Sequence, residues 1–215
     1  MDETCRVVVA PQYSRVRPFA EGVAPARQDR AWGYIDAGGS WVVEPQFDDA
    51  FPFEEGRARV RMGNRWGFVD RSGHVAIPID YSDALGASEG RVAVQRSAGR
   101  LAFFERSRWG YQMLDGTPVI DPAYHRALPF SEGRAAVQFF RRFLGILVPG
   151  AWGYVDASGE RVGEATYRAA HSFSEGLALV HDDASYRYLR PDGSVAFREP
   201  HARAYSFSEC RPKVW

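Results

Sequence analysis

Lysine is almost missing from this chain: of 27 basic residues, only Lys213 is not arginine, a bias that fits a GC-rich bacterial genome. Cysteine is scarce, with Cys5 and Cys210 alone, which excludes a disulfide framework and any Cys-x-x-Cys metal or redox motif. In a reducing cytosol both are expected to be free thiols. Neither sign of charge is in excess, since 27 acidic residues balance 27 basic ones. A nucleic-acid binder of this size carries a basic surplus, so no nucleic-acid partner is expected. Long apolar runs are lacking too. The longest candidate, Phe139 to Val148, is broken by Arg141 and Arg142, so no membrane partner or span is expected. The opening Met1-Asp2-Glu3-Thr4 is acidic and is not a secretory signal, which makes a cytoplasmic location the expectation. His74, His125, His171, His181 and His201 show no metal spacing. There is no nucleophile elbow, phosphate loop or His-Glu-x-x-His. No catalytic residue, metal ligand or cofactor is assigned, and no enzyme activity is expected. Helical periodicity is also absent, so almost no helix is expected.

What is present is a repeat. Glu-Gly pairs end at Gly22, Gly56, Gly90, Gly133 and Gly176, with a degenerate Glu209-Cys210 last. Successive separations are 34, 34, 43, 43 and 34 residues. Trp-Gly pairs begin at Trp32, Trp66, Trp109 and Trp152, and an eroded copy begins at Tyr186. From each of these to the next Glu-Gly or Glu-Cys second residue is always 24, whereas the preceding interval is 10, 10, 19, 19 and 10. All length variation therefore lies in one place, and two adjacent units each carry nine extra residues there. A period of this size is the mark of stacked units that share one continuous core.

Within a unit the residues after Glu-Gly alternate. Ala58 and Val60 lie on one face, with Arg57, Arg59 and Arg61 on the other, which predicts a half-buried strand. Small residues recur at its buried start: Ala24, Ala58, Ala135 and Ala178. A second strand runs from Trp66 to Asp70, where Gly67 leaves room for a neighbouring ring or backbone. An Asp-x-x-Gly turn such as Asp70-Arg71-Ser72-Gly73 ends it, and a third strand, His74 to Ile79, follows. The stretch from Asp48 to Glu55 reads as an irregular link to the next unit. A hydrophobic share of 45%, with 14% aromatic, is enough for a packed core and excludes disorder.

These phrases resemble the WG-repeat family, also called KWG repeats. The residues that carry the resemblance are Trp32-Gly33-Tyr34-Ile35-Asp36, Trp66-Gly67-Phe68-Val69-Asp70 and Trp152-Gly153-Tyr154-Val155-Asp156, with the Phe-x-Glu-Gly phrases. Trp109-Gly110-Tyr111 departs from the pattern at Gln112 and Met113, and Tyr186-Arg187-Tyr188 departs further. The resemblance implies a bacterial scaffold without an agreed catalytic residue. The fold expected is all-β: one domain over 1–215, with units near 17–50, 51–84, 85–127, 128–170 and 171–204 and partial units at 5–16 and 205–215. Each unit is a three-stranded antiparallel meander. Val7 to Tyr13 matches a third strand and Phe207 to Val214 a first strand, so the chain opens and stops mid-unit. That phase allows a closed, propeller-like ring with one unit split between the termini, and an open β-solenoid is the alternative. Ring closure would bring Cys5 and Cys210 to one end of the split unit.

Trp32, Trp66, Trp109 and Trp152, with Gly22, Gly56, Gly90, Gly133 and Gly176, read as structural repeat positions. An acidic ring of the Glu-Gly carboxylates would bind a cation, but these carboxylates more readily accept hydrogen bonds from a neighbouring unit. The functional candidates are the two insertions, which extend the same hairpin in adjacent units. They supply Arg100, Phe103 and Phe104 from one, and Phe139, Phe140, Arg141, Arg142, Phe143, Leu144, Ile146 and Leu147 from the other. Aromatic residues mixed with arginine are the types favoured at interface hot spots. The expected function is non-enzymatic: a scaffold that binds a protein partner or a second copy of itself. A module for small ligands or glycans, using aromatic residues at unit junctions, is the alternative.

Overall fold

The computed structural model describes residues 12–101, 104–183 and 185–197, with the backbone alone over 98–101 and 104–106. All regular structure among them is β, in five antiparallel sheets that follow one another along the chain. The first holds β1 (Arg15–Val16), β2 (Val23–Gln28), β3 (Ala31–Asp36) and β4 (Trp41–Phe47). The second holds β5 (Asp49–Glu54), β6 (Arg57–Met62), β7 (Arg65–Val69) and β8 (Val75–Tyr81). The third holds β9 (Asp83–Ser88), β10 (Arg91–Leu101), β11 (Phe104–Met113) and β12 (Pro118–Tyr124). The fourth holds β13 (Arg126–Ala127), β14 (Arg134–Phe143), β15 (Ile146–Asp156) and β16 (Arg161–Tyr167). The fifth holds β17 (Ala169–Ala170), β18 (Ala178–His181) and β19 (Tyr186–Leu189). No helix long and apolar enough to cross a membrane occurs among the described residues.

The unit has one strand more than the sequence suggests. The link is not irregular: it pairs with the strand after Glu-Gly, as Asp49↔Arg61 and Ala50↔Val60. Its pairing skips between Ala50 and Phe53, across Phe51 and Pro52. Proline has no N–H for a ladder, and the break in alternation hides an edge strand from pattern reading. The link therefore belongs to the sheet that follows it, and Glu-Gly is the turn between the two strands. Both turn residues are left-handed, with φ of 52° at Glu55 and 74° at Gly56, the two-residue turn whose twist suits a hairpin. The same Glu conformation recurs at Glu21, Glu89, Glu132 and Glu175.

A left-handed Glu is disfavoured by about 1 kcal/mol or more, so its retention in every unit needs a reason. The carboxylate supplies one. The Gly56 N–H donates to both Glu21 oxygens at 3.1 Å. The N–H groups of Glu89 and Gly90 donate to Glu55 at 2.9 and 2.8 Å. Gly133 and Gly176 donate to Glu89 and Glu132, each at 2.9 Å. Each carboxylate thus fills the anion-binding concavity of the next turn, and these bonds tie successive sheets together. The structural reading of these residues holds.

The cores lie between sheets. Trp32, Tyr34, Val43 and Phe47 of the first sheet pack with Ala50, Phe53, Ala58 and Val60 of the second. Phe68, Ile77 and Tyr81 pack with Ala84, Val92 and Val94 of the third, and the pattern repeats along the chain. Two residues after Trp32, Trp109 and Trp152 a Tyr pins the junction, while Phe68 follows Trp66. Tyr34, Tyr111 and Tyr154 donate to the carbonyls of Phe51, Leu128 and His171, at 2.9, 2.7 and 2.7 Å. Their rings meet Phe53, Phe130 and Phe173 of the next sheet edge-on. Burial pushes all three hydroxyls far above the usual tyrosine range.

Gly67 behaves as expected. A Cβ there would stand 2.6 Å from Ile79 Cα, so the backbone of the fourth strand bulges over the glycine. Sheets stacked on both sides also explain why Arg57, Arg59 and Arg61 are half-buried rather than exposed. Arg57 Nε donates to Leu114 O at 2.7 Å and Arg134 Nε to Pro191 O at 3.1 Å, each in the following sheet. A flat guanidinium can lie in such a gap and still reach a carbonyl, which an ammonium does less well. Ring closure, and with it the placing of Cys5 and Cys210 at one end of the split unit, turns on residues outside the described ones.

Candidate functional site

The two insertions do extend the same hairpin in adjacent sheets. β10 and β11 remain paired out to Leu101↔Phe104, and β14 and β15 out to Phe143↔Ile146. In the second hairpin the register slips between Gln138 and Phe140, where Phe139 alone stands opposite Gly150 and Ala151, so the bulge lies on β15. The structure divides the candidate residues along this hairpin. Phe139 belongs to the fold: its ring lies edge-on to Tyr124 at 5.5 Å, and the Arg161 guanidinium sits 4.3 Å above it. Phe140 meets His125 at 5.4 Å and Arg108 at 5.8 Å, so it ties the second hairpin to the stem of the first. Beyond them Arg141, Arg142, Phe143, Leu144 and Ile146 are exposed, and Leu147 is half-buried. The side chains of Arg100, Phe103 and Phe104 lie outside the described residues.

The tip is unusual in its chemistry. Leu144 is 87% exposed, and Phe143 and Ile146 are 53% and 41% exposed. Leu144 and Gly145 form the tight turn, with φ of 48° and 82°. A left-handed leucine is costly, and Asn or Gly is the ordinary choice there. Neither folding nor solubility is served by an apolar side chain at that place.

The repeat tryptophans pack in or against the cores at the junctions. Trp32 and Trp109 are buried, while Trp66 and Trp152 are half-buried. Each stands in a row of paired residues that crosses its sheet. The rows are Arg15-Arg27-Trp32-Phe47, Asp49-Arg61-Trp66-Tyr81, Asp83-Gln95-Trp109-Tyr124 and Arg126-Gln138-Trp152-Tyr167. Where two rows face each other, a slot forms between sheets.

Between the first two sheets the slot is filled. The Arg17 guanidinium lies 4.6 Å from the Trp32 ring and 4.1 Å from that of Phe51. It pairs with Asp49 at 2.9 Å and donates to Ala50 O. Between the second and third sheets Arg59 does the same, 4.0 Å from Phe51 and 4.9 Å from Trp66, donating to Ala84 O. Burial pulls the Arg59 pKa down, and the carboxylates of Asp83 and Glu54 oppose that shift. Between the third and fourth sheets there is instead an open cleft of about 390 Å³. Asp83, Gln95 and Trp109 line one side, with His125, Arg126 and Trp152 on the other. Burial, then the charge of Arg126, keeps the His125 pKa below the usual imidazole range. The cleft lies at the stems of the two long hairpins, because Gln95 pairs with Trp109 and Gln138 with Trp152. Sequence reasoning missed it. Its only signal is that Leu85 and Ala93 stand where the earlier units have Arg17 and Arg59.

Among the described residues no group of three or more His, Cys, Asp or Glu is placed to hold a metal ion.

The family model described as "WG containing repeat" matches residues 1–30, 32–66, 66–97, 109–139 and 152–183. No curated protein matches the chain. Among solved structures it is similar to apo AztD from Citrobacter koseri, at 13% identity and a TM-score of 0.43. That similarity covers 88% of this chain and 58% of the other, so the chain spans little more than half the length of that protein.

Proposed function

Because the chain belongs to the WG-containing repeat family, as its five matched copies establish, we propose that it is a non-enzymatic scaffold that captures a protein partner, or a second copy of itself, on its paired long hairpins. The observation that carries this reading is the tip of β14–β15. Phe143, Leu144 and Ile146 stand in solvent, and Leu144 holds a backbone conformation that a leucine disfavours. Arg141 and Arg142 flank them and favour an acidic rim on the partner.

Removing 139–150 altogether would also strip Phe139 from Tyr124, so the cleaner test changes the tip alone. Leu144→Asn with Phe143→Ser is expected to leave the fold intact and to raise stability slightly, by about 1 kcal/mol at the turn. The same variant is expected to abolish partner capture in pull-downs and any dimer seen by light scattering. Full capture by a folded tip variant would remove this surface from consideration. A small-ligand or glycan module is the second reading, favoured by the cleft between Trp109 and Trp152. A glycan array on the folded chain tests that class directly.

A further inference from the structure

The third junction is a copy of two sites whose occupant is known, because the chain itself provides it. In the first junction a guanidinium rests on the row tryptophan, on the residue at position 51, and against Asp49 and the Ala50 carbonyl. In the third, the matching positions are Trp109, Leu128, Arg126 and Ala127, and all four line the cleft. No arginine plugs it from the third sheet, since Leu85, which packs against the core cluster that includes Trp109, and Ala93 hold the two donor positions. The slot keeps the row tryptophan, has Leu128 where the first junction has Phe51, and gains a carboxylate, Asp83, at the place of Arg15. Asp83 is half-buried, accepts from its neighbour's N–H at 2.8 Å as Asp49 does, and faces the space.

We propose that this cleft binds an arginine side chain of a partner peptide, with its guanidinium against Trp109 and Asp83. One difference from the first junction refines the ligand. Where that site has Asp49, this one has the exposed Arg126, so a bare cation meets one carboxylate and one like charge. The cleft therefore selects an arginine with a carboxylate close by, either a C-terminal arginine or one next to an acidic residue. Arg126 then takes the anion by a two-pronged contact while Asp83 takes the cation. A tryptophan face holds a guanidinium better than it holds an aliphatic or a neutral polar chain. A cleft of this size lies in the range of small-ligand pockets, about 300–1,000 Å³. Its place between the hairpin stems means that a partner held at the tips would reach it, so the inference rests on the scaffold reading and names the chemistry of the captured segment.

The test is calorimetric titration of the full chain with N-acetyl-Gly-Arg bearing a free carboxylate. Binding is expected, and the citrulline counterpart, which has the same shape without the charge, is expected to bind at least tenfold more weakly. Asp83→Asn should produce a similar loss, and the arginine amide should bind more weakly because Arg126 loses its partner. The double variant Leu85→Arg/Arg126→Asp rebuilds the Arg17–Asp49 arrangement inside the cleft and should block the peptide. If that variant fails to melt cooperatively, Asp83→Asn and the citrulline peptide decide alone. No binding of the arginine peptide, or equal binding of citrulline, overturns the proposal. The probe is too small to reach the hairpin tip. Loss of peptide binding with intact partner capture therefore refutes this site only, and peptide binding that persists in the Leu144→Asn/Phe143→Ser chain separates it from the tip.

Discussion

Two junctions built on one plan differ in a few side chains, and first in the one that fills the slot. Between the first and second sheets, Arg17 lies on Trp32 and Phe51 and closes the slot. Between the third and fourth sheets, Leu85 stands at that position and a cleft remains. The paired rows that form the two slots run the same way, and the side chains at a few positions decide whether the slot is filled from within or left open. A stacked architecture can gain an open cleft by losing a plug, with no new backbone.

The largest effect that would sharpen this comparison is at the tryptophans. Trp32→Ala removes a buried ring that also carries Arg17, and is expected to cost roughly 3–5 kcal/mol. Trp152→Ala, half-buried beside the cleft, should cost clearly less; equal losses of melting temperature would break the comparison. Next is the plug itself. Arg59→Ala should lower stability by about 2 kcal/mol and leave a slot like that of the third junction. Low concentrations of guanidinium ion should then restore part of the lost melting temperature, whereas the wild-type chain should show no such gain. A smaller change copies one junction onto another. The second sheet has Phe68 where others have tyrosine, so Tyr111→Phe imitates it and should cost about 1 kcal/mol, by freeing the Leu128 carbonyl. The smallest effect is the response to acid. A hydrogen bond from Arg71, aided by the Gly56 N–H, holds the Glu21 carboxyl below its ordinary range. Hydrogen bonds from Ser72 and Ser158, hydroxyl and then backbone, do the same for Asp70 and Asp156. The unfolded chain binds more protons than the folded one over that interval. The stability these groups contribute is present above about pH 4 and is lost as pH falls through their lowered folded values. A melt series between neutral and strongly acid pH checks the sign, and Glu21→Gln should flatten part of the slope.

Much of the fold was legible because it is repeated. The constant interval from Trp to the next Glu-Gly marks the hairpin and its neighbour, and the alternation of Ala58 and Val60 correctly assigns the buried face. The choice between an acidic ring and an inter-unit device was also open to reasoning, since a residue kept in every unit suits structure. The first strand of each sheet was not legible. Pro52 and the skip between Ala50 and Phe53 erase its period. The functional candidates were legible as insertions but not as individual roles. Nothing in the order of residues distinguishes Phe139, which packs on Tyr124, from Phe143, which stands in solvent.

The amino-acid order alone determined the period, the strand faces, the turns and the positions where length is allowed to vary, because these are local matters of backbone conformation and alternation. Tertiary structure alone decided which glutamate reaches which turn, which arginine fills which slot and which slot stays open. Those contacts join residues that the chain holds roughly one unit apart, and only the stacking of one sheet on the next brings them within reach.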